Sequence, residues 1–148
     1  SAASDVYKRQ IEGKDCREKV EPHWQQFLPK IKQIPQRTQR ILFGVMITTE
    51  LEMREKNLRY FSGVPVSDVK NLPNKFRSMV LPAGTYACFE SLGIAEKTYS
   101  VVDYIYGIWL ATSGYKRAPG YDFEYMDERY KPGDPNSVAS FYIPIEKA

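Results

Sequence analysis

The chain has 148 residues, of which 43% are hydrophobic and 26% charged, and its net charge is +3. That is the size of one ordinary domain with one core, and so weak a basic excess argues against direct contact with DNA or RNA. No apolar run approaches the ~20 residues that span a bilayer, and no apolar stretch follows a basic start as in a signal peptide, so a cytoplasmic protein without membrane contact is expected.

The opening segment SAASDVYKRQ, residues 1–10, matches residue for residue a translated transposase sequencing adapter and is read as an artefact, with the domain itself running over 11–148. Leaving it out removes Lys8, Arg9 and Asp5 and lowers the net charge to +2. Residues 11–21 are polar and read as a loop. Pro22 then opens a helix whose apolar positions are Trp24, Phe27, Leu28, Ile31 and Ile34. Pro29 removes a hydrogen bond inside that pattern, so a kink or restart is expected there. Arg40 to Ile47 reads as a strand apolar on both faces, Glu50 to Asn57 as a charged connection, and Leu58 to Val64 as the next strand. Phe76–Leu81 and Thr85–Glu90 flank the turn residues Pro82-Ala83-Gly84 and read as a hairpin. A second helix runs from Lys97 to Ser113 and stops at Gly114, a good residue for a left-handed cap. Tyr121–Asp127 alternates, with Tyr121, Phe123 and Tyr125 on one side and Asp122, Glu124 and Met126 on the other. Val138–Ile145 is the last strand. The pattern predicts one α+β domain with a mainly antiparallel sheet and two helices on it.

Cys16 and Cys88 sit in unlike contexts and read as reduced thiols. His23 is the only histidine and no CxxC occurs, so neither a metal nor another cofactor is expected. The 11 Tyr, 7 Phe and 2 Trp suit a half-wet cavity, since tyrosine joins an apolar body to a polar tip, but they equally suit sheet surfaces.

Six pieces in this order carry a family resemblance: the helix with Trp24 and Phe27; Tyr60-Phe61-Ser62-Gly63-Val64; Leu81-Pro82-Ala83-Gly84-Thr85-Tyr86-Ala87-Cys88-Phe89; Tyr106-Gly107-Ile108-Trp109-Leu110 with Ser113-Gly114-Tyr115; Asp122-Phe123-Glu124-Tyr125; and Phe141-Tyr142-Ile143-Pro144-Ile145. Together they resemble the GyrI-like domain, which is also the effector-binding domain of AraC-type and MerR-type bacterial transcription activators. The resemblance implies two strand-helix-strand-strand modules related by a pseudo-twofold, with a ligand pocket between them. Against that pattern the opening strand of the first module is missing, and Val6 and Tyr7 are the residues that could pair in its place. A DNA-binding domain upstream in a longer protein is a possible partner. Ser91 stands about where many relatives have a histidine, which puts any imidazole-dependent function in doubt.

The resemblance places Glu124 in the pocket, provided that Phe123 and Tyr125 pack against a helix. A carboxylate there is costly to desolvate, and a lipophilic cation would supply its partner. Surrounding rings would add cation–π attraction. Tyr142 is the aromatic neighbour the resemblance implies, and Trp109, Tyr60 and Tyr106 complete the candidate set; His23 is expected at the surface. The function implied is binding of hydrophobic, cationic small molecules, as the sensor domain of a transcription regulator or as a stand-alone binder. The alternative is a hydrolase of strained, cyclopropane-type electrophiles that uses Glu124 as base and a tyrosine as acid.

Overall fold

The computed structural model describes residues 2–4, 6–7, 15–47, 59–93 and 95–148. The chain forms two compact units, Ser1–Leu81 and Pro82–Ala148. The charged connection from Glu50 to Asn57 lies outside the described residues.

In the first unit, β1 (Ala2–Ser4) and β2 (Val6–Tyr7) precede α1 (Asp15–Phe27). The helix therefore starts well before Pro22, in a stretch read above as loop. Glu18, Lys19 and Glu21 are good helix formers, and a polar first half needs no apolar periodicity. At Leu28 the helix tightens into a 3₁₀ segment, Leu28–Gln33, with Pro29 in its first turn, which is the expected restart. β3 (Leu42–Met46) and β4 (Tyr60–Pro65) follow, antiparallel, with Gly44 opposite Ser62. β1 and β2 both run along β4, with Val6 opposite Phe61 and Tyr7 opposite Tyr60. The core joins Phe27, Ile34, Val64, Val66 and Phe76, with Trp24 and Leu42 packed against it.

Gly44 answers to a close approach. A Cβ there would collide with the Tyr60 hydroxyl, whose ring lies across the strand. Gly44→Ala is expected to displace that ring and cost about 1–3 kcal/mol, read as a lower denaturant midpoint and a changed Trp24 emission.

The hairpin expected around Pro82 does not form. β5 (Arg77–Met79) pairs with β1, and β6 (Tyr86–Leu92) pairs with the last strand. Pro82 lacks an N–H and Gly84 is exposed, so the turn residues mark a boundary between units instead of a tight reversal.

In the second unit, β6 leads into α2 (Ala95–Tyr104), a π turn (Ile105–Trp109) and α3 (Leu110–Thr112). The Leu110 N–H reaches back to the Ile105 carbonyl across one extra residue. Gly114 ends the helix with φ +79°, the left-handed cap its sequence position predicts. β7 (Tyr115–Arg117) pairs with β9 (Val138–Lys147), as do β6 and β8 (Asp122–Met126). Ile105, Phe141, Ile143 and Ile145 form the core, with Phe89, Val101, Val102, Trp109 and Leu110 around it. Ile143 is fully buried; Ile143→Ala is expected to cost about 2–5 kcal/mol, measured by equilibrium unfolding.

Both units thus repeat one order of strand, helix and antiparallel strands, and the fold is α+β.

Candidate ligand-binding site

Strand register decides which side chains can meet. Directly opposed residues of an antiparallel pair share a face. Glu124 lies opposite Phe141, and Phe141 lies opposite Phe89. Phe89 and Phe141 belong to the core that α2, the π turn and α3 cover. Asp122, Glu124 and Met126 therefore face the helix, and Phe123 and Tyr125 face away from it. That reverses the packing assumed from sequence.

Glu124 is half-buried. Burial alone pushes its carboxyl up to about 7, and among the described residues no cation or hydrogen-bond donor offsets it. A carboxyl that is dehydrated without a partner is costly to ionise.

Its neighbour on the same face, Asp122, is 7% exposed and fully engaged. Tyr106, from the π turn, donates its hydroxyl to Asp122 Oδ2. Arg117 donates Nε to Oδ1 at 3.1 Å and holds the same oxygen through Nη2 at 3.1 Å. The same guanidinium donates to the Gly120 carbonyl at 2.9 Å, which fixes the turn leading into β8. Burial still holds the Asp122 carboxyl above its usual range, against the pull of Tyr106 and Arg117. Burial first, then the Asp122 charge, pushes the Tyr106 phenol well up. Asp122 opposes the lowering that burial imposes on Arg117 and leaves it raised.

Trp109 is half-buried at the edge of the same core, 5.0 Å from the Phe89 ring and stacked on Tyr115 at 6.1 Å. It shares a helix with Tyr106 and a face with Glu124. Tyr142 does not. It lies opposite Phe123, stacked on it at 4.9 Å, with Tyr86 and Tyr125 edge-on, so it sits across the sheet from Glu124. The expected pairing of Glu124 with Tyr142 fails on register: each occupies a face the other's strand position excludes. Contact with Cys88, then burial, pushes the Tyr142 phenol up to about 12. Cys88 itself is an exposed free thiol.

Tyr60 belongs to the first unit. Its hydroxyl accepts a hydrogen bond from Trp24 Nε1 at 3.0 Å, and the His23 ring stands 6.1 Å away, edge-on. His23 is 6% exposed, not at the surface as expected, because the helix begins earlier and carries it into the interior. Ser91 is also buried, at 3%.

Sequence reasoning missed Asp122 and Arg117 as a pair. The available signal was an Arg and an Asp bracketing Ala118-Pro119-Gly120, a turn that can fold one back on the other.

The domain is an effector-binding module of the GyrI-like type. The chain belongs to the Cass2 family of integron-associated effector binding proteins, whose model matches residues 4–145. It is 30% identical over 124 residues to the transcriptional regulator BrlR of Pseudomonas aeruginosa, an alignment covering 82% of this chain and 44% of that regulator. The chain thus spans less than half of that relative's length. A solved structure of SAV2435 bound to tetraphenylphosphonium has the same fold, with a TM-score of 0.76 at 12% identity, covering 98% of this chain and 87% of the other. Among the described residues no helix is long and apolar enough to cross a membrane.

Proposed function

We propose that the second unit binds lipophilic monocations, with Glu124 as counter-charge and Trp109 as the aromatic group on the same face. The observation that carries this reading is the Glu124 carboxyl, half-buried on the helix-facing side of β8, pushed up to about 7 by burial and without a partner among the described residues. A cation arriving beside it would repay part of the desolvation, and a ring on its face would add about 0.5–2 kcal/mol. The tetraphenylphosphonium bound by the structural neighbour SAV2435 is a ligand of this chemistry. The regulator relative BrlR supports a role as sensor domain, in which ligand binding biases an attached DNA-binding domain; a cytoplasmic location fits that role.

The hydrolytic alternative is less well supported. It asks for a tyrosine hydroxyl beside Glu124, whereas Tyr142 lies across the sheet and the Tyr106 hydroxyl is engaged by Asp122.

Titration of tetraphenylphosphonium and of a neutral tetraphenyl analogue tests the reading. The cation is expected to bind more tightly than the analogue, and Glu124→Gln to weaken the cation alone by about 10–100-fold, the range for loss of one partly buried charge partner. Equal binding of both ligands, unmoved by the substitution, would sink it.

A further inference from the structure

Two carboxylates share the helix-facing side of β8, but among the described residues only one of them has a cation. Asp122 and Glu124 stand two residues apart on one strand face, roughly 7 Å between Cα atoms, and Arg117 grips Asp122 alone. Arg117 is held in place by the Gly120 carbonyl, and Asp122 by the Tyr106 hydroxyl. The arrangement is built, since Asp122 keeps only 10% side-chain exposure and is contacted from the helix side and from the turn.

We propose that Arg117 is a specificity-determining residue that sets the charge the site accepts: by cancelling Asp122 it leaves a single uncompensated negative charge, so the site selects monocations over dications. This rests on the reading of Glu124 as counter-charge. Without the guanidinium, the strand face presents two anions, and a ligand with two positive centres gains where a monocation gains little. Without Asp122, the guanidinium becomes an uncompensated cation beside the site and repels any cationic ligand. The two substitutions therefore act in opposite directions on charge preference, which damage to the turn could not produce.

Tetraphenylphosphonium serves as the monocation and p-xylylenebis(triphenylphosphonium) as the dication, titrated by calorimetry against wild type, Arg117→Gln, Asp122→Asn and the double variant. Arg117→Gln is expected to shift the ratio of affinities toward the dication by at least about tenfold. Asp122→Asn should weaken the monocation by about tenfold or more and the dication further still, and the double variant should restore the wild-type ratio. If Arg117→Gln melts too low to titrate, Asp122→Asn against the double variant gives the same decision, because only charge cancellation predicts recovery on removing a second partner. A ratio unchanged in every folded variant, while Glu124→Gln still weakens the monocation, overturns this inference and leaves the binding function intact. Failure of wild type to bind either ligand overturns the binding function itself.

Discussion

Affinity for tetraphenylphosphonium is expected to rise by about 10–50-fold as pH increases from 5 to 7 and to level off above that. Only the ionised form of Glu124 pairs with a cation. Burial holds its carboxyl at about 7, so below that pH the proton must leave before the ligand gains its partner. Between pH 5 and pH 7 the dissociation constant should fall by about 10–50-fold, and by no more than the factor that Glu124→Gln costs. Titrations across that range, repeated with Glu124→Gln, check the claim: the variant has no proton to lose, and its affinity should be flat. A slope that survives the substitution would place the titrating group elsewhere.

The second large effect concerns the free protein. Glu124 has a folded-state pKa above its unfolded value of 4.5, so its contribution to stability is fully present below 4.5 and is lost as pH rises through about 7. A displacement of that size corresponds to about 3 kcal/mol. Asp122, also held above its ordinary range, contributes in the same direction. Denaturant unfolding at pH 5 and pH 8 should find wild type markedly weaker at the higher pH. Glu124→Gln should remove most of that difference. A wild type equally stable at both values would mean that the carboxyl is hydrated. Saturating cation should restore the stability lost at pH 8, since a ligand that binds only the folded state stabilises it.

These two effects have a common origin. A site that holds a charge ready for a ligand pays for it in the unliganded fold. The core formed by Ile105, Phe141 and Ile143 supplies the compensating burial directly beside it.

How much of this was legible in the sequence depends on the kind of information involved. Alternation in Tyr121–Asp127 correctly separated Glu124 from Phe123 and Tyr125, because period two is a property of the strand alone. Which of those faces meets the helix is a property of register, and no local pattern around Glu124 carries it. Tyr142 was misplaced for that reason: its partner across the ladder is Phe123, and that pairing depends on a connection that folds back between residues 127 and 137. The π turn at Ile105–Trp109 was likewise invisible, since the apolar spacing from Val101 to Trp109 reads as continuous helix. Gly114 was legible because a left-handed cap leaves a residue type behind. Pro29 was legible because a proline cannot continue a hydrogen-bonded turn. The polar first half of α1 was not, because a polar helical stretch and a polar loop share a composition.

The most direct measurement is a carbon-13 titration of the Glu124 carboxyl by NMR, in the free protein and with saturating tetraphenylphosphonium. The side-chain carboxyl should titrate near 7 in the free protein, and the bound cation should draw that midpoint down by a unit or more, to about 6 or below. A midpoint at the ordinary glutamate value, unmoved by ligand, would contradict it.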